Sequence, residues 1–319
     1  MRDLRIVFMG TPEFAVAVLE KILNEKLTVV GVITAPDKPA GRGRQLKQSA
    51  VKEFAVANEL PVLQPTNLKD EQFLKDLENL KANLQVVVAF RMLPEVVWKM
   101  PAFGTFNLHA SLLPDYRGAA PINWALINGE TKSGVTTFFI DEKIDTGEII
   151  LQREVLLTEI MNAGELHDLL MHEGAELVIE TIKAIEKDQV ITRKQPEVES
   201  PKKAPKLFKD NCKIVWEQSA ARIHNLIRGL SPYPGAWCYL MNDTDESAKE
   251  PIKIFKTLPE RGRTPVEKPG SLLVEKNSLR VAATDGYLNI IEMQLPGKRK
   301  MHVKDILNGY SFKDNARLL

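Results

Sequence analysis

Apolar positions along the chain follow two rhythms. Leu4–Met9 (LRIVFM), Thr28–Ile33 and Leu84–Ala89 (LQVVVA) are short, β-branched-rich runs of the kind buried in parallel strands. Between and after them, Glu13–Leu23, Val51–Asn58, Asp70–Leu77 and the long Ala163–Asp188 repeat apolar residues at helical spacing. Strand–turn–helix–strand order predicts an α/β, doubly wound, mostly parallel sheet. Thr105–His109 alternates as a short strand, and Phe106 and the Val135–Ile140 run read as core. From Asn211 the rhythm shortens. One helix, Ser219–Gly229, precedes strands at Ala236–Leu240, Ile252–Thr257, Ser271–Val274, Leu279–Ala282 and Leu288–Met293, which predicts a small OB-like β-barrel.

The connections sharpen this outline. The first strand ends in Gly10-Thr11-Pro12 without a G-x-G-x-x-G, so no dinucleotide fingerprint is present, and Gly10 reads as a tight turn. Residues 35–47 carry two prolines and two glycines, which argues against regular structure there, and Lys38, Arg42, Arg44 and Lys47 outweigh Asp37. Arginines beside glycine can approach phosphates or base edges closely. Residues 193–209 hold three Pro and six basic against two acidic residues, the composition of a semi-extended linker. The expected organisation is residues 1–192, a linker over 193–209, and a second domain over 210–319.

Net charge is +1, but it divides unevenly. Residues 1–192 hold 20 Lys+Arg against 27 Asp+Glu, and residues 193–319 hold 23 against 15, so balances of −7 and +8 recover the total. A basic rear half points to a polyanionic partner, and an acidic front half to small-molecule chemistry. No apolar run nears the roughly 20 residues of a membrane span, and the N-terminus, with acidic Asp3 and a break at Gly10-Thr11-Pro12, does not read as a signal peptide. Cys212 and Cys238 are too few for a disulfide framework or a thiolate metal site. A cytoplasmic protein in a reducing compartment is expected. Without a heptad pattern or an exposed apolar helix, a monomer is expected too.

The densest chemistry lies in residues 104–149. Period 2 puts Asn107 and His109 on one strand face, where an amide and an imidazole can polarise a single carbonyl oxygen. A carboxylate such as Asp145, if the fold brings it near, would orient or charge that imidazole. His167 and His172 fall about 140° apart around a helix, so one metal ion could not easily use both, and no metal is expected.

The Asn107-Leu108-His109 triplet, the Ser111-Leu112-Leu113-Pro114 turn, the Arg117–Pro121 loop and the Ile144–Gly147 element occur in this order. Together they resemble the active-site segment of 10-formyltetrahydrofolate-dependent formyltransferases. The resemblance implies catalytic roles for Asn107, His109 and Asp145, and a folate-binding role for Ser111, Leu112, Leu113 and Pro114. Phe90-Arg91-Met92 stands where the family carries an Ala-Tyr-Gly-like turn whose backbone holds the pterin. It departs from that pattern, so main-chain contacts are expected there rather than side-chain roles. MGTPEFAV at the first strand end, PDKPAGRGRQL in the 36–47 loop, and HNLIRGLSPYPGAW, GYLNIIEMQLPGKRKM and DILNG near the C-terminus resemble the branch of the family that acts on tRNA. They imply tRNA contacts at Lys38, Arg42, Arg44 and Lys47, at linker residues Lys202, Lys203 and Lys206, and at Lys298, Arg299 and Lys300. The implied reaction moves a formyl group from 10-formyltetrahydrofolate to the α-amine of methionyl-initiator-tRNA. The alternatives are formylation of a nucleotide or sugar-nucleotide amine, hydrolysis of the folate, or a catalytically silent tRNA-binding protein.

Overall fold

The computed structural model describes residues 1–40, 45–242, 249–260, 262 and 264–319. The chain divides into two compact units. One comprises residues 1–118, 133–155 and 167–203, and the other residues 119–132, 156–166 and 204–319.

In chain order the front of the molecule runs β1 (Ile6–Gly10), α1 (Glu13–Asn24), β2 (Val29–Ile33), β3 (Lys38–Ala40), β4 (Gln45–Lys47), α2 (Ala50–Ala57), β5 (Val62–Leu63), α3 (Glu71–Asn79) and β6 (Leu84–Val88). It continues through α4 (Glu95–Trp98), β7 (Thr105–His109), β8 (Arg117–Gly118), α5 (Pro121–Ile127), β9 (Lys132–Phe139), β10 (Ile149–Leu156) and α6 (Ala163–Glu186). Seven of these strands form one sheet in the order β10-β9-β7-β6-β1-β2-β5. Pairings from β5 to β7 are parallel, and β9 joins β7 antiparallel. This is the expected doubly wound, mostly parallel sheet. All five residues of β1 and all five of β6 are buried, as strands covered on both faces must be. Helix α3 caps its first turn with Asp70 and α2 with Ser49, whose side chains accept from N–H groups three residues on.

Two local readings change, and a third gains a strand. Residues 36–47, expected to lack regular structure, contain β3 and β4, which pair antiparallel, Lys38 with Lys47 and Ala40 with Gln45. A two-stranded hairpin leaves one side of each strand unpaired, and there a proline's missing N–H breaks no ladder bond. Gly10 is the last residue of β1 rather than part of a turn. A Cβ there would lie 2.6 Å from the Ala15 Cβ and 3.1 Å from the Val88 carbonyl oxygen, so the glycine lets α1 close onto the sheet. The Val135–Ile140 run, read as core, is buried over Val135–Phe138, and all of it but Ile140 belongs to β9, where Asn107 of β7 stands opposite Phe138.

The second unit carries β11 (Lys203–Ala204) at its boundary, then α7 (Ala220–Gly229), β12 (Ala236–Met241), β13 (Glu250–Glu260), β14 (Leu272–Val274), β15 (Leu279–Ala282), β16 (Tyr287–Gln294), β17 (Met301–His302), α8 (Val303–Leu307) and β18 (Arg317–Leu318). Its sheet runs β14-β15-β16-β13-β12-β18, with β17 added to β16. An antiparallel bridge from Ser271, just before β14, to Arg317 of β18 brings the first strand round to the last. The result is a nearly closed antiparallel barrel around Trp216, Ile223, Cys238, Ile254, Leu288 and Ile290. Helix α5 packs here against α7, with the Asn123 amide donating to the Gly229 carbonyl at 2.8 Å. Residues 158–161 are tied to the same helix, because Arg228 donates to the Thr158 and Met161 carbonyls at 3.1 and 3.2 Å. Among the described residues no helix is long and apolar enough to cross a membrane.

Candidate active site

Strand β7 delivers Asn107 and His109 to the carboxyl end of the sheet, where doubly wound folds bind their ligands. The His109 side chain is 7% exposed, and its Nε2 lies 2.8 Å from the Tyr116 carbonyl oxygen. A carbonyl can only accept, so Nε2 carries a proton and Nδ1 is the ring atom left for other work. Nδ1 faces the Asp145 Oδ2 at 3.8 Å. That gap is too long for a hydrogen bond, and the same Oδ2 accepts instead from the Gly118 N–H at 3.0 Å. Asp145 sits in the left-handed backbone region at φ +56°, which turns its carboxylate back from the loop after β9 toward β7. The Asn107 side chain makes no hydrogen bond to any described residue. The amide, the imidazole and the carboxylate thus gather in one unit of the fold.

The 111–114 turn lies beside them and is tightly held. Thr136 of β9 donates to the Ser111 carbonyl at 2.6 Å and accepts from the Leu113 N–H at 3.2 Å. Gln152 of β10 donates to the Leu113 carbonyl and to the Thr136 hydroxyl, both at 3.0 Å. The Leu113–Pro114 bond is cis. Pro114 also borders a cleft of about 660 Å³, whose walls include Trp98, Arg117, Asp141, Thr146 and Gln195. That volume lies within the range of small-molecule clefts, and Asn107, His109 and Asp145 are not among its walls.

Residues 4–182 match the formyl transferase family and residues 206–311 its C-terminal domain. A methionyl-tRNA formyltransferase of Flavobacterium johnsoniae is 57% identical across the full length of both chains. One of Bacteroides fragilis is 51% identical over 99% of this chain and 98% of its own. The chain belongs to the methionyl-tRNA formyltransferase family. It is a formyl-transferring enzyme built on that family's α/β fold with a C-terminal barrel. Solved structures share the fold at lower identity. WlaRD, a sugar 3N-formyl transferase crystallised in the presence of dTDP and 5-N-formyl-THF, aligns with a TM-score of 0.66 and 22% identity, covering 94% of this chain and all of its own. HypX from Aquifex aeolicus, in complex with tetrahydrofolic acid, aligns at 0.63 and 19%, covering 96% of this chain and 47% of its own.

The other residues singled out from the sequence fall in distinct settings. Phe90-Arg91-Met92 follows Ala89, whose φ is +46°. Arg91 turns its guanidinium onto the Thr66 carbonyl at 2.9 Å and onto the Pro65 carbonyl, while Met92 is 65% exposed. The Arg91 side chain therefore braces a neighbouring loop. Lys38 and Lys47 are exposed and paired across the hairpin, and Arg42 and Arg44 lie outside the described residues. Lys202, Lys203 and Lys206 are exposed; the Lys202 ammonium stands 6.0 Å from the Tyr116 ring and that of Lys206 5.7 Å from the Phe208 ring. Lys298, Arg299 and Lys300 are exposed on the loop after β16, although Lys300 pairs with Glu292 at 3.0 Å.

Several supporting groups escaped the sequence reading. Tyr116, Thr136, Gln152 and Gln195 touch the site through main-chain, hydroxyl or amide contacts that no spacing rule encodes. Arg117 sits within a recognised motif, but its partner, Gln195, has no sequence signal at all.

Proposed function

We propose that this chain transfers the formyl group of 10-formyltetrahydrofolate to the α-amine of methionyl-initiator-tRNA, giving formylmethionyl-tRNA and tetrahydrofolate. The observation that carries the reading is the 57% identity, over the whole of both chains, to an enzyme of that name. The folate supplies a formyl carbon already bonded to nitrogen, and the cleft beside Pro114 is large enough to receive part of it.

The acceptor needs little activation. An α-amine titrates near about 7.7–8, so a useful fraction is neutral at pH 7. Its nitrogen bonds to the formyl carbon, negative charge collects on the formyl oxygen, and the older carbon–nitrogen bond then breaks. The amine gives up a proton, and the departing folate nitrogen gains one. Asn107, with no partner among the described residues, donates its amide N–H to the developing oxyanion. His109 donates through Nδ1, and because Tyr116 already holds the Nε2 proton, the donating form is the imidazolium. Asp145 stabilises that cation and receives the amine's proton, directly or through water. The 111–114 turn, held by Thr136 and Gln152, holds the folate. Lys38, Arg42, Arg44 and Lys47, the linker lysines and Lys298–Lys300 meet the tRNA backbone.

Formyl transfer from labelled 10-formyltetrahydrofolate, with methionyl-tRNA, an amino-sugar nucleotide and water alone as competing acceptors, tests the reading. Label in formylmethionyl-tRNA, lost in His109→Ala, is the expected result. Label released to water or taken by the sugar nucleotide, with methionyl-tRNA inert, overturns it.

A further inference from the structure

The segment after α6 has the composition of a linker whose lysines touch RNA, yet part of it is fastened to the active-site loops. Arg193 exchanges both main-chain hydrogen bonds with Ile149, at 2.8 and 2.9 Å. Nine residues on, the Lys202 carbonyl accepts from the Tyr116 N–H at 2.6 Å, and the Lys202 N–H donates to the Asp115 carboxylate at 3.1 Å. Between these anchors a single side chain, Gln195, reaches the turn that carries Asp145.

The amide of Gln195 uses both its ends. Its Nε2 donates to the carbonyl oxygens of Asp145 and Gly147, each at 2.9 Å. Its Oε1 accepts from Arg117 Nε at 3.1 Å and Nη2 at 2.5 Å. Two donated and two accepted bonds satisfy a primary amide. The turn it grips needs outside support. Asp145 is a non-glycine residue at φ +56°, an uncommon conformation that aspartate tolerates better than most residues and that outside contacts help to hold. Gly147 is so closely seated that a Cβ would lie 1.7 Å from the Phe139 carbonyl oxygen. On its other side the Asp145 carboxylate accepts from the Gly118 N–H, and Gly118 follows directly on Arg117, which Gln195 also holds. One amide therefore clamps the backbone of Asp145 and the loop that supplies the partner of its carboxylate.

We propose that Gln195 is a positioning residue, which sets the Asp145 carboxylate toward His109 by fixing the 145–147 turn. The inference rests on the proposed role of Asp145 in formyl transfer. Gln195 touches no reacting atom; it acts through Asp145. A shift of about 1 Å in such a group can lower turnover on the order of 10²-fold.

The replacement Gln195→Glu separates this role from a general structural one. It keeps an acceptor for Arg117 and adds charge to that pair, but it removes the donor to the Asp145 and Gly147 carbonyls. The expected result in steady-state formyl transfer is kcat reduced roughly ten- to 100-fold, with KM for methionyl-tRNA unchanged. In an Asp145→Asn background the same replacement should change kcat by less than about twofold, because coupled residues do not lose independently. Gln195→Met, near in shape but without polar atoms, is run alongside in case the glutamate lowers the melting temperature. Full kcat in both Gln195 variants, or an effect that multiplies in full with Asp145→Asn, overturns the inference. Asp145→Asn at full turnover would instead overturn the catalytic reading beneath it. Asp145→Asn inactive beside fully active Gln195 variants overturns the positioning role alone.

Discussion

The Nδ1 of His109 and the Oδ2 of Asp145 face each other at 3.8 Å, near enough for charge to be felt and too far for a hydrogen bond. Each is meanwhile held from behind, His109 by the Tyr116 carbonyl and Asp145 by the Gly118 N–H. A separation of 3.8 Å leaves no room for an atom between them, so a substrate oxygen or a water that bridges the two sits beside the pair. Catalytic contacts that are long in the free enzyme commonly tighten around substrate.

The first prediction concerns this pair and Asn107. Replacing Asn107 or His109 by Ala removes an oxyanion donor and should lower kcat by about 10²–10³-fold. Asp145→Asn should lower it comparably while folate binding persists. Single-turnover rates with saturating methionyl-tRNA, set beside equilibrium folate binding, check the assignment; turnover equal to that of the parent enzyme contradicts it.

The second concerns Gly147. Its missing side chain lets the Phe139 carbonyl pass where a Cβ would sit, at 1.7 Å. Gly147→Ala must push the backbone of the Asp145 turn aside, at about 1–3 kcal/mol of stability. The same displacement should reduce kcat. Urea unfolding and initial rates on one preparation read both effects, and a variant as stable as the parent contradicts the close packing.

The third concerns the basic loop. Neutralising Arg42 and Arg44 should weaken use of tRNA and flatten its salt dependence, by about one unit of log–log slope for each phosphate left without its cation. Folate binding should be untouched. Measuring KM for methionyl-tRNA across a salt series separates this from misfolding, which would impair both ligands together.

The fourth concerns pH. His224 lies buried between the Thr257 hydroxyl and the Glu159 carbonyl, and burial foremost, aided by the Arg228 charge, pushes its pKa below the ordinary 6.5. The folded state thus resists protonating this imidazole, whereas the unfolded chain accepts the proton near 6.5. The stability this site contributes is complete above 6.5 and is lost as pH falls from there through the folded-state pKa. Denaturant midpoints from pH 8 to 5 should decline less steeply in His224→Gln than in the parent protein.

The fifth concerns Cys238, which is fully buried in the barrel and whose thiol burial pushes up to about 12. Iodoacetamide should leave it unmodified in the native protein and label it on unfolding in guanidinium. Native labelling at the unfolded rate would mean that the barrel opens readily.

Much of the architecture was legible because burial leaves a periodic trace. The apolar runs at β1, β2 and β6, the 3.6-residue repeat of α1 and α6, and the five short strands of the barrel all fell within a few residues of the expected positions. What escaped lacked that trace. Helix α5 is a short piece whose buried residues, Ala125 and Leu126, give no periodic stripe, and β10 has a mixed, partly exposed face. The β3–β4 pair was hidden by the prolines and glycines in its sequence neighbourhood, which mark loops in general, although a proline such as Pro39 is tolerated on the unpaired side of a two-stranded ribbon.

By itself the sequence determined the sheet class and the order of the main elements, and it singled out Asn107, His109 and Asp145 as candidates. Asn107 and His109 lie two residues apart on one strand, and local spacing fixes their common face. Only the tertiary structure decided what surrounds them. Asp145 meets His109 because a left-handed backbone turn aims it there, and Gln195 meets that turn because Arg193 is paired to Ile149. Likewise residues 119–132 and 156–166, which precede the barrel in the chain, pack with it through α7. Contacts between residues far apart in sequence depend on how loops close over a finished core, and a linear pattern of polar and apolar positions carries no record of that closure.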